Sequence, residues 1–225
     1  TERPSMTLCK SGRRKAWLPA LLATLCATGA SAAPPEAAPS ADAGWILAHL
    51  VRPAPTRTDF VEVRGSALLK TPLRIEGEYA RPTEDTLVRA VRAPYVETTT
   101  IRGGEATIER GGKARRFSLS RVPELQGLQA SFGAMLSGDR AQLERYYTID
   151  AAGTRQAWTL HLVPHDKALR AKVRDIALHG RGAELRCIET QPAKGDVQRT
   201  LLASAARSAH GVADAPALAA LCRAQ

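Results

Sequence analysis

His161 and His165 stand four residues apart with Asp166 beside the second, and two imidazoles with a carboxylate are the raw material of a metal site or a proton relay. Their spacing argues against both. Trp158, Leu160 and Leu162 alternate with Thr159 and His161, which puts His161 on a strand, whereas His165 follows Pro164 into a turn. The two share no helical face. Glu76 and Glu78 recur at the two-residue beat of a strand beside Arg74 and imitate a catalytic carboxylate pair, but side chains two apart on a wet strand face are ordinarily solvated charge. Gly112-Lys113 lacks the upstream glycine and the following Ser or Thr of a phosphate loop, and the chain contains no GxSxG, HExxH or GxGxxG. No catalytic, metal or cofactor site is therefore expected. The reactive residues left to explain are two cysteines, Cys187 and Cys222.

Whether those cysteines pair depends on the compartment. After Met6, the residues Lys10, Arg13, Arg14 and Lys15 form a charged end, residues 16–28 an apolar part, and Ala30-Ser31-Ala32 the small residues before a cut at Ala33. The 13 residues of the apolar part fall short of the roughly 20 that span a bilayer. Ser11-Gly12-Arg13-Arg14 fits a twin-arginine signal only in part, and Leu25 precedes Cys26 where lipidation requires a small residue. A soluble exported product is expected, with residues 1–32 as leader and signal peptide. Their removal takes five basic residues and one acidic one and lowers the formal charge from +10 to +6. The surplus is scattered over strands, without the basic stripe and interleaved aromatics of nucleic-acid recognition. In an oxidising compartment a Cys187–Cys222 disulfide is the natural pairing. It would close a loop of about 35 residues and contribute about 3.5–4 kcal/mol. The other arrangement is two separate buried thiols.

The elements that position any binding site are strands. Val61, Val63, Ala67 and Leu69 alternate with Glu62, Arg64, Ser66 and Lys70, and beyond Pro72 the residues Leu73, Ile75 and Tyr79 alternate with Arg74, Glu76 and Glu78. That is an antiparallel pair with one apolar and one wet face. Four more strands are read at 86–92, 95–101, 105–110 and 115–119, with turns at Gly103-Gly104 and Gly111-Gly112. Strands resume at 144–150 and 156–163 with Gly153 at the hairpin turn, followed by 173–179, 183–188 and 197–202. Residues 33–41 read as a flexible Pro/Ala-rich linker, and Asp42 caps a helix carrying Trp45, Ile46, His49 and Leu50 that Pro53 and Pro55 stop. Leu125, Leu128, Phe132, Met135 and Leu136 recur at helical spacing between Pro123 and Gly138, residues 166–172 form one helical turn, and 203–222 a broken helix. About eleven short strands curl, and their concave apolar side is filled, covered by helices, or used for an apolar ligand. With three Phe, three Trp and four Tyr in the chain, large fillers are few. The strand positions expected on that face are Leu73, Ile75, Tyr79, Leu87, Val91, Ile108, Trp158 and Leu160, lying under the helix that carries Leu128, Phe132 and Met135.

An opening helix is followed in order by Phe60-x-Glu62-x-Arg64, Leu69-x-x-Pro72-Leu73-x-x-x-Gly77, Arg81-Pro82, the Pro94 strand, Leu136-x-Gly138-Asp139, Trp158-x-Leu160-x-Leu162-x-Pro164 and Gly195-Asp196. This order, covering about residues 45–203, resembles that of the periplasmic outer-membrane lipoprotein carriers, the LolA-like family, and in particular its divergent branch. The resemblance implies a mainly β fold with helices, in which residues 42–225 form one curved antiparallel half-barrel of about eleven strands with helices covering the concave apolar face. It further implies a non-enzymatic, monomeric carrier in the periplasm. Such a carrier shields the acyl chains of a lipoprotein, lipid or lipid-linked envelope product between an inner-membrane transporter or exporter and an outer-membrane acceptor. The eleven positions from Leu73 to Leu160 named above would bind the cargo, and Arg81, in the family's Arg-Pro element, would gate the helical lid. The alternative from another class is a lipid-sensing or interaction domain regulating an envelope response. Sensors of that kind usually add a second domain, and none is read after Leu202.

Overall fold

Two antiparallel meanders join into one sheet. The first comprises β1 (Thr56–Arg64), β2 (Leu73–Thr83), β3 (Thr86–Ala93), β4 (Glu97–Arg102), β5 (Glu105–Arg110) and β6 (Lys113–Ser118). The second comprises β7 (Tyr147–Thr154), β8 (Ala157–Pro164), β9 (Val173–Arg181), β10 (Glu184–Pro192) and β11 (Gln198–Leu202). β11 returns beside β1, so the spatial order is β6-β5-β4-β3-β2-β1-β11-β10-β9-β8-β7, and the curved sheet stays open, with β6 and β7 as its edges. The eleven-stranded antiparallel half-barrel is the architecture expected. This computed structural model describes residues 39–64, 72–121, 134–212 and 214–223, all within the compact unit Ala37–Gln225. The expected leader and signal peptide, most of the linker, and the helix positions Leu128 and Phe132 lie outside the described residues.

The concave side is covered from the N-terminal end of the fold. Asp42 caps α1 (Ala43–Leu50), its Oδ1 accepting the Trp45 N–H at 2.9 Å. Ile46, Leu47 and Leu50 of α1, Met135 from the helical residues 134–137, and Leu143 of α2 (Arg140–Glu144) pack on Tyr147, Trp158, Leu160, Leu162, Ile176 and Leu178. Each fully buried Leu or Ile there contributes about 1.5–3 kcal/mol. α3 (Lys167–Arg170) adds Leu169 beneath the same cluster. Pro39, Ser40 and Ala41, at the end of the expected linker, are pinned to the β7–β8 hairpin: Ala41 N–H donates to Gly153 carbonyl and Arg155 N–H to Pro39 carbonyl, both at 3.1 Å.

Four local readings need correction. β1 has no wet face in its second half, because Phe60, Val61, Glu62 and Val63 are all buried. The register pairs Phe60 with Gly77 and Glu62 with Ile75, so Phe60, Glu62 and Arg64 share the concave face with Leu73, Ile75 and Tyr79, while Val61 and Val63 point to the convex side. There α4 (Ala203–Ser208) and α5 (Ala215–Arg223) cover Val61, Val63, Cys187 and Leu201. Tail helices on the back of the sheet convert an alternating pattern into burial on both faces. Secondly, α2 occupies residues 140–143, which the sequence assigns to no element, and Glu144, read as the start of a strand; Asp139 caps it by accepting the Gln142 N–H at 2.9 Å. Thirdly, Gly153 lies inside β7 opposite Trp158 and not at the turn, where a Cβ would come 2.3 Å from the Ala157 carbonyl oxygen. The fourth concerns Arg74, taken as solvated charge: it reaches the tail and donates to the carbonyls of Ala209 at 2.8 Å and Val212 at 2.6 Å.

Candidate functional site

Strand register brings all eight apolar strand positions expected on the concave side onto one face. Leu73, Ile75 and Tyr79 lie on β2, and the pairs Gly77–Val91, Leu87–Ile101 and Thr99–Ile108 carry that face across β3, β4 and β5. On the other meander, Ile188–Leu178 and Leu178–Leu160 carry it to β8, where Trp158 also stands. The face has two parts. Trp158 and Leu160, 2% and 0% exposed, sit in the dry cluster under α1, and Met135 belongs to the helical cover over them. The Trp158 ring also crowds Gly180, and its Nε1–H donates to the Gly182 carbonyl at 2.9 Å.

The second part is centred on Phe60, Ile75, Val91 and Leu202, with partly exposed Leu73, Tyr79 and Tyr95 around it. Leu87 and Ile108, also half-buried, continue it toward β5. Leu185 and Ile188 of β10 touch both clusters, so the apolar surface runs without a break from β8 to β3. Leu128 and Phe132 lie outside the described residues.

Arg81 lies at the end of this face where α1 leaves it. Its register partner is Thr56, and the guanidinium is largely buried, its Nη1 donating to the Arg52 carbonyl at 2.7 Å. Nη2 pairs with the Glu84 carboxylate, which also accepts the Ala54 N–H at 2.9 Å. Arg52 itself donates to the carbonyls of His49 and Val51 and to that of Ala183, between β9 and β10. The exit of α1 is thus tied to the β2–β3 turn through Arg81 and Glu84, and to the β9–β10 turn through Arg52. The resemblance singled out Arg81 through its Arg-Pro element. Arg52 carried no such signal, since an arginine ahead of a proline at a helix end is commonplace.

An ion cluster stands beside this apolar patch. Glu62, 5% exposed, accepts from Arg64 and, at 2.7 Å, from Arg89 of β3. The Arg89 guanidinium lies 4.9 Å from the centre of the Phe60 ring. Burial works against the Arg89 charge, but Tyr79 and Glu62 outweigh it and hold its pKa above the ordinary arginine value. Burial also raises the Tyr79 phenol, which therefore stays protonated. The alternation of Glu62 with Val61 read as solvated charge, which is why the cluster was not anticipated.

The convex side carries a polar groove of about 340 Å³ lined by His161, Asp175, His179, Glu189, Gln191 and Arg223. His179, Glu189 and Cys222 have ligand atoms within 4.8 Å of one another, the spacing of a metal site. Their chemistry is otherwise engaged. Cys222 is bonded to Cys187, so it offers no thiolate, and Glu189 takes hydrogen bonds from Arg199 at 2.6 Å and Arg223 at 3.2 Å. His165 lies 3.0 Å from the Thr148 hydroxyl, and Asp166 caps α3 through the Leu169 N–H, so neither forms a unit with His161. Glu76 and Glu78 pair with Arg74 and Arg57, each at 2.6 Å.

A family model described as outer membrane lipoprotein carrier protein LolA-like matches residues 32–225. Among curated proteins, no sequence matches the chain. Solved structures similar to it include the LolA superfamily protein NE2245 from Nitrosomonas europaea, at 11% identity over 73% of this chain and 92% of that one, with a TM-score of 0.38. LprF from Mycobacterium bovis is similar at 15% identity over 72% of this chain and 91% of that one, with a TM-score of 0.31.

Proposed function

The chain belongs to the LolA-like family of outer membrane lipoprotein carrier proteins, and from that premise we propose that it binds and carries acylated cargo on its concave face. The observation that supports this reading most is the unbroken apolar surface from β8 to β3, dry beneath α1 at one end and only partly covered around Leu73, Tyr79, Leu87 and Ile108 at the other. A surface that merely completed a core would be closed at both ends. Acyl chains need such shelter, because each methylene contributes about 0.8 kcal/mol when withdrawn from water. The cargo is a lipoprotein, a lipid or a lipid-linked envelope product, received from an inner-membrane transporter or exporter and passed to an outer-membrane acceptor. The carrier works in the periplasm, reached through the signal peptide of residues 1–32. No helix among the described residues is long and apolar enough to cross a membrane. Its role is binding, without catalysis: among the described residues His165 and Asp166 form no unit with His161, and Glu189 beside His179 is taken up by Arg199 and Arg223.

Native mass spectrometry with lipid extraction of the protein isolated from its own periplasm tests the reading. Co-purifying acyl chains, or saturable uptake of an acylated probe, are expected. Protein that carries nothing and takes up no probe overturns it. Intact mass of the exported chain checks the start near Ala33, and a diacylglyceryl group on Cys26 would refute the soluble product.

A further inference from the structure

The cluster at Glu62 leaves the concave face with an unbalanced charge. One carboxylate faces two guanidiniums, and both of its oxygens are already used, one by Arg64 and the other by Arg89. The Arg89 side chain is 18% exposed, so its surplus charge is poorly screened by solvent, while Arg64 stands 45% exposed at the rim. Register places Arg110, Lys113 and Arg115 farther along the same face, against a single further strand carboxylate, Glu97. The face that carries the partly exposed apolar patch is therefore electropositive beside that patch.

We propose that this site takes an anionic amphiphile, with a phosphate or carboxylate head held by Arg64 and Arg89 and an acyl chain laid over the partly exposed Leu73 and Tyr79. The inference rests on the carrier reading above and specifies its cargo. A guanidinium presents five N–H donors in a rigid fork; Glu62 takes one from each arginine and Tyr79 bonds Arg89 as well, so among the described residues further N–H groups of the two forks are left for a second oxyanion. The Arg89 guanidinium lies over the Phe60 ring, 4.9 Å from its centre, and Phe60 in turn packs on Tyr79 at 4.7 Å, which brings head site and chain site together. A cationic head meets repulsion there, and a neutral one gains nothing from the surplus. Glu62 serves as the internal counter-ion that keeps the pair tolerable while the site is empty.

The test is displacement of the neutral dye N-phenyl-1-naphthylamine from the purified protein at low salt, using palmitate, hexadecyl phosphate, palmitoyl lysophosphatidylcholine, monopalmitin and inorganic phosphate. The two anionic amphiphiles are expected to displace the dye at about tenfold lower concentration than monopalmitin, the size of one shielded charge-assisted contact. Arg89→Gln should bring that ratio close to one, and Glu62→Gln should widen it. Should Arg89→Gln fail to fold, Arg64→Gln at the exposed rim carries the same expectation in weaker form. Equal displacement by anionic and neutral chains overturns the inference and leaves the carrier reading standing. A preference that survives both arginine substitutions overturns it too, because the head then sits elsewhere. Competition by inorganic phosphate as strong as by hexadecyl phosphate reduces the site to a free-anion site and refutes the amphiphile. If no amphiphile displaces the dye and none binds, the carrier reading itself fails.

Discussion

Arg74 and Arg81 leave β2 on opposite faces, and each fastens a different piece of chain to the sheet. Arg81 holds the exit of α1 through the Arg52 carbonyl and Glu84. Its planar fork serves both at once, which a point charge on a flexible stem does not do. Arg81→Leu should therefore leave the fold intact but speed amide exchange in residues 43–52 by about tenfold, with Arg81→Lys failing to restore it. Unchanged exchange would make Arg81 a bystander at the rim. Arg74 donates to the Ala209 and Val212 carbonyls and to Glu76, with its side chain 24% exposed. Charged-donor bonds of that kind are worth about 1.5–3 kcal/mol each and are not additive, so Arg74→Leu should lower unfolding free energy by about 2–3 kcal/mol. It should also expose the tail to protease. Denaturant titration decides, and a loss under about 0.5 kcal/mol would return Arg74 to the class of solvated charges.

The tail is the element most dependent on staples. α4 and α5 contribute mainly alanines to the convex cluster, with Leu218 the one large buried side chain they add to it, so contact area alone holds them weakly. The Cys187–Cys222 bond, spanning 35 residues, should contribute about 4 kcal/mol, and its reduction should lower the denaturation midpoint and open α5 to cleavage. Beside it the group of His179, Glu189, Arg199 and Arg223 makes the same element sensitive to acid. Burial holds His179 below the ordinary histidine value of 6.5, although Glu189 pulls the other way. Burial alone would raise Glu189, but Arg223 and Arg199 outweigh it and hold it below 4.5. The unfolded chain thus binds a proton at the histidine before the native one does, and stability declines as pH falls below about 6.5. The glutamate contribution is complete above its unfolded value and is lost as pH falls through its lower folded value, so both effects share one sign. His179→Gln should flatten the thermal midpoint between about pH 7 and pH 5 and leave the steeper fall below about pH 4.5. An unaltered profile would remove His179 from the account.

At the scale of the molecule, strand count and hairpin pairing were legible because each hairpin is local: an alternating run, a Gly-Gly turn and a second run specify one another. The facing of β1 was not, because it depends on what lies behind it. Val61 and Val63 alternate correctly, yet they pack under helices some 140 residues later in the chain, and no periodicity within residues 56–64 records that cover. The candidate site divides for the same reason. Leu73, Val91 and Leu160 were indistinguishable as alternating apolar residues, but among the described residues α1 and its neighbours pack on the β7–β10 side, so Leu160 is core while Leu73 is left partly exposed. This separation can be measured. Leu160→Ala removes a fully buried side chain beneath α1 and should cost about 2–5 kcal/mol of stability, with probe affinity unchanged at temperatures where the protein is folded. Leu73→Asp or Ile108→Asp, at half-buried positions on the partly covered side, should cost far less stability but weaken an acylated probe at least tenfold, since the charge must be desolvated where the chain would lie. If instead Leu160→Ala abolishes probe binding in the folded protein and both Asp variants bind normally, the cargo lies under α1, and the two halves of the concave face exchange the roles of core and site.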